Sequence, residues 1–543
     1  MTGQAWRSRR SARAGRFAWK TRRADRNRNS MRIRFKVDAW VVGFIPVAMA
    51  LSGCFEQPDN IVGIRDLEDE LSDETCTPSK HETVPSKCGV WVSSTLGDDG
   101  NAGIQRAPVR TISEALELSP DKGRRIYVCA QTFDEAVIVP GGHRLFGGLD
   151  CDDGWRWIGD KKKTTLTAPE GETPLSFDNG EGAAVIEDLH VIARSIPVTH
   201  TELAGRSAIA ANSSGVPVHF RRCILEAGDG APGASGGAFV DGAAGKGMTG
   251  NFGNAACSAT TVAGGLPVNN TCGTPDDRSD DSRGGTGGTG GLESGGDGSS
   301  GVPSDVMNGG KGETSTQRCT AGQEGADGVD GSPGAGATGF GDLFLNGYTG
   351  PLAGDGTPGK RGQGGGGGGG AKGGTGAQMC PFEASAAGAG GGAGGSGGCG
   401  GLGGRGGGAG GVSIALFVGS ASIDLNDVVL KTGRGGHGGD GGEGQPGGEG
   451  GDYGAAGTRG EATGLNAACP GGRGGRGGQG GRGGGGLGGH SIAIAYAVIE
   501  PSLTNTTIEL GEAGIGGRGA SRTHDGADGV AAEIYDIEQR FRQ

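Results

Sequence analysis

The chain has 543 residues, and 126 of them are Gly, against only 22 Pro and 26 aromatic residues (6 Trp, 5 Tyr and 15 Phe). Residues 1–227 hold 21 Gly and residues 228–543 hold the other 105, so one third of the second part is Gly. So little Pro argues against a collagen triple helix, and so many Gly argue against an ordinary globular enzyme, because Gly adds no apolar side chain to a core. The formal net charge is −12 at pH 7.

The first 53 residues are predicted to be a signal peptide. Residues 1–54 carry 13 Lys and Arg against 2 Asp, and an apolar stretch covers residues 39–51. That stretch is too short, and too broken by a Gly and a Pro, for a transmembrane helix. A basic segment, a short apolar segment and small residues before a cleavage point are typical of secretion signals. Met31 is the predicted start, because it gives a signal of ordinary length.

The signal ends in a short motif that carries a resemblance. Leu-Ser-Gly-Cys at 51–54 resembles the lipobox of bacterial lipoproteins, which implies cleavage before Cys54 and attachment of lipid to that residue. Phe55 follows, and in that family a residue other than Asp at this position favours the outer membrane. We therefore expect an outer-membrane lipoprotein of the cell envelope, periplasmic or surface-exposed, with an acidic tether over 54–88. A plain secretory signal is the alternative.

Removal of the signal makes the chain strongly acidic. Without residues 1–54 it has 49 − 13 = 36 basic and 61 − 2 = 59 acidic side chains, a formal charge of −23. Such a surface repels nucleic acid and anionic lipid. The expected partners are the membrane, through the N-terminal lipid, and a polysaccharide or surface matrix, with no nucleic acid.

The cysteines fit an oxidising compartment. Of the 12 Cys, 11 remain when Cys54 is assigned to lipid, so at least one of them is unpaired. Cys223 lies in an apolar strand pattern and is predicted to be a buried free thiol. The chain has no Cys-x-x-Cys pair and its eight His are scattered, which argues against a structural zinc site. Spacing suggests three candidate disulfides: Cys76 with Cys88, Cys129 with Cys151, and Cys380 with Cys399.

Residues 89–227 have the pattern of one helix followed by short strands. A helix is predicted at 111–118, because Thr111 and Glu114 have the spacing of a capping box and Pro120 follows. Apolar runs bounded by turn residues then predict strands. These strands are expected at 126–129, 136–139, 144–146, 164–167, 184–186 and 189–192.

Similar strands recur across very long gaps. Ser-Ala-Ile-Ala at 207–210 is echoed by Ser-Ile-Ala-Leu at 413–416 and Ser-Ile-Ala-Ile at 491–494, and each is followed by a second strand. This recurrence is typical of a stacked solenoid, whose single turns cannot bury their own apolar face. The expected organisation after the tether is a cap with coils at 89–227, a Gly-rich insertion at 228–411, a coil at 412–433, a second insertion at 434–489, a coil at 490–512 and a C-terminal cap at 513–543.

The segment that begins the folded part also resembles a known family. The matching runs are Gly-Asp-Asp-Gly-Asn at 97–101, Pro-Val-Arg-Thr-Ile at 108–112, Glu-Ala-Leu at 114–116, Ile-Tyr-Val at 126–128 and Phe-Asp-Glu at 133–135. They are similar to the first segment of pectate-lyase-like right-handed parallel β-helix proteins, in which the short helix caps the first coil. The resemblance covers residues 90–228 well and the later turns loosely. It implies an all-β fold but no particular activity, because this fold hosts lyases, hydrolases, adhesins and proteins without activity.

Gly recurs at every third position in runs at 322–334, 435–450 and 471–489. A period of three matches the polyproline II geometry, in which one edge of each helix would then lack side chains. Neighbouring edges could approach closely enough for their backbone groups to bond. The pattern resembles the polyglycine II bundles of some antifreeze and phage adhesin proteins and the Gly-rich repeats of mycobacterial surface proteins. A flexible Gly-rich loop is the alternative.

No residue pattern predicts a catalytic centre, a metal site or a cofactor. The carboxylates at 150–153 are expected to form a solvated acidic turn, since no Arg or Lys can be placed beside them. Those at 98–101 are expected to cap or turn the chain rather than bind calcium. The run at 435–440 lacks the aliphatic residue that a calcium β-roll requires. Near the C-terminus, Val530, Ile534, Ile537 and Phe541 have the spacing of an amphipathic helix, and a strand at 534–537 is the alternative.

These patterns favour a non-catalytic, envelope-anchored surface protein that serves adhesion or matrix binding. Its expected fold is a right-handed parallel β-helix with a short N-terminal capping helix and two Gly-rich insertions. A polysaccharide lyase or glycoside hydrolase of the same fold is the alternative, and it should place paired carboxylates and an Arg or Lys on successive turns. Ice or surface binding is a third hypothesis, which calls for regular Thr or Ala arrays that these tracts lack.

Overall fold

The computed structural model describes residues 74–538, except 82, 121–122, 240–241, 274–277, 345–346, 375–379, 381–385 and 462–463. The predicted signal peptide, Cys54 and most of the predicted tether therefore lie outside the described residues. In the part that the structure describes, no helix is long and apolar enough to cross a membrane.

The described part of the chain is mostly β-structure with one α-helix, α1 (Ile112–Leu118). The strands are β1 (Val90–Val92), β2 (Arg125–Cys129), β3 (Thr132–Asp134), β4 (Val137–Gly141), β5 (Arg144–Asp150), β6 (Arg156–Trp157), β7 (Thr164–Thr167), β8 (Leu175–Gly180), β9 (Ala184–Glu187), β10 (Leu189–Ala193), β11 (Ala208–Ser213), β12 (Val218–Arg221), β13 (Ile224–Ala227), β14 (Asn269–Asn270), β15 (Ser282–Arg283), β16 (Asp342–Phe344), β17 (Gly347–Thr349), β18 (Ser413–Val418), β19 (Ile423–Asn426), β20 (Val429–Thr432), β21 (Ser491–Tyr496), β22 (Ser502–Thr504), β23 (Thr507–Glu509) and β24 (Ala531–Asp536).

Most strands belong to three parallel sheets, which the chain visits in a fixed order from β2 onward. Sheet 1 has the order β1-β2-β5-β9-β12-β19-β22, sheet 2 the order β3-β7-β10-β13-β20-β23, and sheet 3 the order β4-β8-β11-β18-β21-β24. The three similar strand sequences are neighbours in sheet 3, where Ile209 pairs with Ile414 and Ile414 with Ile492. Strands about 80 and 205 residues apart therefore lie side by side.

The core lies between the sheets and is built from columns of like residues. In sheet 2, Leu166, Val191, Leu225 and Leu430 follow one another in register, and all four are fully buried. Burying one such side chain contributes about 1.5–3 kcal/mol. Alternation along each strand places these residues inward and polar residues outward.

The short turn from sheet 1 to sheet 2 repeats at successive levels. Its central residue has a positive φ at Asp188, Arg222, Asp427 and Asn505, between +50° and +60°. Side chains bond along this row: Arg222 Nε donates to Asp188 Oδ1 at 3.0 Å, and Asn505 Nδ2 donates to Asp427 Oδ1 at 3.2 Å. These bonds offset part of the strain of left-handed backbone in residues other than Gly.

Helix α1 begins as the sequence pattern indicates, but only half of the capping box forms. Thr111 accepts a hydrogen bond from the Glu114 N–H at 3.2 Å. The Thr111 N–H is bound instead by Asp99 Oδ1 at 2.9 Å, and the Glu135 carboxylate accepts the Ile112 N–H at 2.8 Å. The orphan donors of the first turn are thus satisfied from neighbouring loops.

The Gly-rich insertions form an ordered bundle of extended segments. Its inner segments run through residues 354–373, 386–411 and 471–489, and they are joined by backbone hydrogen bonds that recur at every third residue. One layer consists of the Gly365 N–H to Gly395 O at 2.8 Å, the Gly395 N–H to Gly472 O at 3.0 Å and the Gly472 N–H to Gly366 O at 2.8 Å. A third Gly-rich stretch, 511–530, joins the bundle through the Gly514 N–H to Gly489 O bond.

The bundle is closed at its rim by short polar side chains. Asp carboxylates accept backbone N–H groups of neighbouring segments, as in Asp440 with the Arg518 N–H at 2.7 Å and Asp355 with the Gly406 N–H at 2.7 Å. The same type of bond from the Gly312 N–H, together with Lys311, lowers the pKa of Asp297. The Asp residues that interrupt the Gly runs are therefore part of the bonding pattern.

The structure contains five disulfides between described cysteines. Cys76 is joined to Cys88 and Cys129 to Cys151. The expected pair of Cys380 with Cys399 is wrong, since these residues have separate partners. The other three disulfides are Cys257–Cys380, Cys272–Cys399 and Cys319–Cys469. The free Cys223 is buried, as expected, and burial raises the pKa of its thiol to about 12.

The expected pairing failed because of the extended segment between the two cysteines. Residues 386–399 belong to one extended segment of the bundle, which bonds to its neighbours through backbone groups at every third residue, so Cys399 lies far along the segment from its start. The Cα atoms of a disulfide lie about 6 Å apart. Each of these cysteines therefore bonds to another loop, and the three long-range disulfides fasten loops and segments of the bundle to one another.

The predicted C-terminal helix is wrong, and the alternative, a strand in this segment, is confirmed. Residues 531–536 form β24, in which Ile534 pairs with Ile494 and Tyr535 with Ala495 of β21. Ile534 packs against the inner core, whereas Tyr535 packs on the outer face of sheet 3. The edge of β21 supplied hydrogen bonds that an isolated sequence pattern does not reveal. Phe541 lies outside the described residues.

Candidate functional site

The outer face of sheet 3 carries a second apolar cluster. Ile209, Ile414 and Ile492 adjoin in register and are buried, although they lie on the face opposite the inner core. The antiparallel hairpin β16–β17 of the first insertion covers them, together with Phe340 and Tyr348. An apolar hairpin thus anchors the insertion to the sheet.

Aromatic rings fix the position of this hairpin. The Phe340 ring stacks on His490, with centroids 4.2 Å apart, and on Tyr535, with centroids 4.5 Å apart. Tyr348 meets Phe340 edge-on and donates its hydroxyl hydrogen to the Phe340 carbonyl at 2.7 Å. Such pairs add about 0.5–1.5 kcal/mol each to the burial of the rings.

Cavities lie on both sides of the hairpin. One, of about 400 Å³, is bounded by Ile138, Glu172, Ser176, Arg206 and Tyr348. It combines a phenol ring, a guanidinium and a carboxylate at the surface of β4, β8 and β11. The phenol ring can stack on a ring of a ligand, and the two charged groups can form hydrogen bonds with hydroxyl groups of the ligand. This face is therefore a candidate binding site.

The second cavity, of about 540 Å³, lies on the side of the hairpin toward β24. Phe340, Asp342, Pro351 and Tyr535 are among its lining residues. We call these two cavities, one on each side of the hairpin, the groove on sheet 3.

His490 holds the hairpin and β24 together. Its Nδ1 accepts the Val530 N–H at 2.9 Å and its Nε2 donates to the Phe340 carbonyl at 2.8 Å. Both ring nitrogens are used by a neutral imidazole with its proton on Nε2. Burial lowers the pKa of His490, and the bond to Phe340 opposes this only in part.

Stability is therefore expected to fall as the pH drops below neutrality. Because the pKa of His490 is below 6.5 in the folded state, the unfolded chain binds more protons, and the loss begins as the pH falls through 6.5 toward the folded pKa. His143, whose pKa burial also lowers, acts in the same direction. The difference between the denaturant midpoints at pH 7.5 and pH 5.5 should be smaller in the His490→Gln variant than in the unaltered protein. Identical pH profiles of the two proteins would contradict this role.

A buried ionic cluster lies at the corner between sheets 1 and 2. Glu187 and Asp188 have side chains that are 3% and 2% exposed. Arg222 bonds both, at 2.6 Å and 2.9 Å, and Lys163 lies 3.5 Å from Asp188. Burial by itself lowers the pKa of Arg222, but its bonds to Asp188 and Glu187 outweigh that effect and raise the pKa.

The enzyme alternative calls for paired carboxylates with an Arg or Lys, and no sequence pattern predicted such a group. The cluster places one at the ends of the neighbouring strands β9 and β12. The signal was present, because Glu187-Asp188 and Arg221-Arg222 end equivalent strands, and Glu187 pairs in register with Arg221. Trp157 Nε1 also donates to Asp188 Oδ2 at 2.9 Å. The carboxylate oxygens are thus engaged by neighbouring cations and the indole, which suits a structural role better than proton transfer.

The other carboxylates considered in the sequence have local roles. Asp98 Oδ1 accepts the Gly100 N–H, and Asp99 Oδ1 accepts the Arg110 N–H at 2.8 Å. Asp153 forms an ion pair with Arg156 in the exposed turn after β5. Asp440 belongs to the rim of the bundle. Over the residues that the structure describes, no group of three or more His, Cys, Asp or Glu could hold a metal ion.

Comparison with protein-family models, curated proteins and solved structures found no match to this chain.

Proposed function

We propose that the protein is a non-catalytic lipoprotein of the cell envelope, anchored in the outer membrane through Cys54, that mediates adhesion or binding to a surface matrix. The observation that carries this proposal is the bundle, whose segments bond through their backbones at every third residue. Such a body offers a stiff surface far larger than a substrate pocket. Its acidic character and its disulfides suit an extracytoplasmic location.

With this function we also propose a more detailed architecture than the strand order of the sheets gives. The three parallel sheets are the faces of a right-handed parallel β-helix of the pectate-lyase-like kind, and each turn of that helix supplies one strand to each sheet. The inserted segments are polyglycine II helices, because three residues per turn explain bonds at every third residue. Helix α1 caps the first coil.

The enzyme alternative is a polysaccharide lyase or glycoside hydrolase acting in the groove on sheet 3. The cavity beside Tyr348 favours it, since Arg206 and Glu172 line the same space. Incubation with acidic polysaccharides tests this reading: new unsaturated or reducing ends would establish an enzyme. Ice or surface binding remains the third candidate, and the mixed Arg, Asp and Gln rim of the bundle does not favour it.

Lipid anchoring and attachment are tested together in cells. Cys54→Ala is expected to abolish incorporation of labelled fatty acid, to release the protein from the membrane fraction, and to remove attachment of the cells to an immobilised polysaccharide matrix. Phe55→Asp is the matched control, because it leaves the acylated Cys in place and should retain the label while moving the protein to the inner membrane. Acylation of the Cys54→Ala protein would refute the anchor, and unchanged attachment would refute the function.

A further inference from the structure

An open cavity of about 250 Å³ lies on the surface of the glycine bundle. Its lining includes Asp327, Asp330, Pro446, Arg476 and Gln479. The floor is the segment 471–489, which bonds to the flanking segments on both sides through backbone groups. We call this feature the bundle groove. It is separate from the groove on sheet 3.

The polar side chains in the bundle groove are held in place by hydrogen bonds, and they retain further donors and acceptors for a ligand. Asp327 Oδ1 accepts the Arg476 N–H and Asp330 Oδ1 accepts the Gln479 N–H, both at 2.7 Å. Both Asp residues are exposed, and each carboxylate has a second oxygen that can accept a hydrogen bond from a ligand. Among the described residues, the Arg476 guanidinium has no ion pair. Donors and acceptors therefore lie side by side on a rigid backbone.

The polar side chains of segment 471–489 form a row with a fixed repeat that extends beyond the bundle groove in both directions. Arg473 and Arg482 lie three residues before and six residues after Arg476, so successive positions are about 9 Å apart at ~3.1 Å per residue. Arg473 pairs with Asp452 at 3.4 Å and Arg482 with Glu443 at 3.2 Å. The ends of the row are thus neutralised, while its middle is open.

We propose that the bundle groove binds an uncharged polysaccharide chain lengthwise; this rests on the proposed function and names its ligand. Four carboxylates face three guanidinium groups, and the chain after residue 54 carries −23, so a polyanion is repelled. Sugar hydroxyls both donate and accept, which matches the alternation of Asp327, Arg476 and Gln479.

The test is electrophoresis of the purified protein in native gels that contain hydroxyethyl cellulose, dextran or polygalacturonate. At least one neutral polymer is expected to retard the protein, and polygalacturonate is not. The double variant Arg476→Ala/Gln479→Ala should weaken binding about tenfold. Arg405→Ala removes an exposed Arg from another segment of the bundle and should leave binding unchanged.

The outcomes separate this inference from the proposed function. Retardation by neither neutral polymer, or equal retardation of the double variant, overturns the inference, as does preferential binding of polygalacturonate. If anchored cells still attach to the matrix in that event, only the ligand and its groove are wrong. If attachment is absent as well, the proposed function fails with them. Circular dichroism of each variant shows whether the fold is retained.

Discussion

Replacement of Gly367 by Ala is expected to destabilise the protein by about 3 kcal/mol, near the upper end for overpacked interiors. Gly367 is buried in the centre of the bundle, where its N–H donates to Ser299 O at 2.9 Å and its carbonyl accepts the Gly310 N–H at 2.8 Å. A Cβ at this position would overlap the Thr286 carbonyl. Only a shift of backbone would relieve the overlap, and such a shift would break bonds in several segments together.

The matched control for this change is Gly237→Ala. Gly237 lies in the same insertion but is exposed, and a Cβ there would meet no atom within 4 Å. Ala at such a position is expected to be neutral or to stabilise by up to about 1 kcal/mol, because it restricts the unfolded chain. Guanidinium unfolding of the three proteins measures the difference. Equal stability of the Gly367 and Gly237 variants would show that the bundle does not depend on close backbone contact.

Arg222→Met is expected to cost about 3–5 kcal/mol, the usual effect of removing one partner from a buried ion pair. The change leaves the Glu187 and Asp188 carboxylates buried with one compensating positive charge fewer, and it removes three hydrogen bonds. It also removes the guanidinium that lies 5.6 Å from the centre of the Trp157 ring. Arg222→Lys should be milder but still destabilising, since an ammonium cannot bridge both carboxylates as a planar guanidinium does.

The control for burial is an exposed pair of the same chemistry. Arg194 lies 2.9 Å from Asp134, with side chains that are 42% and 54% exposed, so Arg194→Met should cost less than about 1 kcal/mol. Addition of Asp188→Asn to Arg222→Met should restore part of the lost stability, because it removes a buried charge. Thermal or denaturant unfolding decides between the outcomes. The assigned role of the cluster would be contradicted if the effects of Asp188→Asn and Arg222→Met on the free energy of unfolding were strictly additive. It would also be contradicted if Arg194→Met and Arg222→Met lowered that free energy equally.

Short-range patterns predicted the strands well, because they depend on alternation along a single segment. The three Ser-Ile-Ala-like runs predicted strands that share a sheet, and Ile209, Ile414 and Ile492 lie in register there. Thr111 capped the helix through the Glu114 N–H, as its spacing indicated. The ionic corner was missed although Glu187 and Arg221 end equivalent strands, because their pairing requires the register of two turns.

The Gly period of three determined which segments are extended, but it contains no register. Every segment offers the same row of N–H and C=O groups, so the sequence alone leaves open which segments are neighbours. The choice of neighbours is visible only in the tertiary structure, where Asp side chains at the rim and three long-range disulfides join particular segments. Two of these disulfides join Cys380 and Cys399 to distant partners. The C-terminal segment forms β24, and not the predicted helix, because β21 in the assembled sheet 3 offers an edge with which it pairs. Composition and periodicity, in this protein, determined the kind of structure that each segment adopts, and close backbone packing between distant segments determined where each one lies.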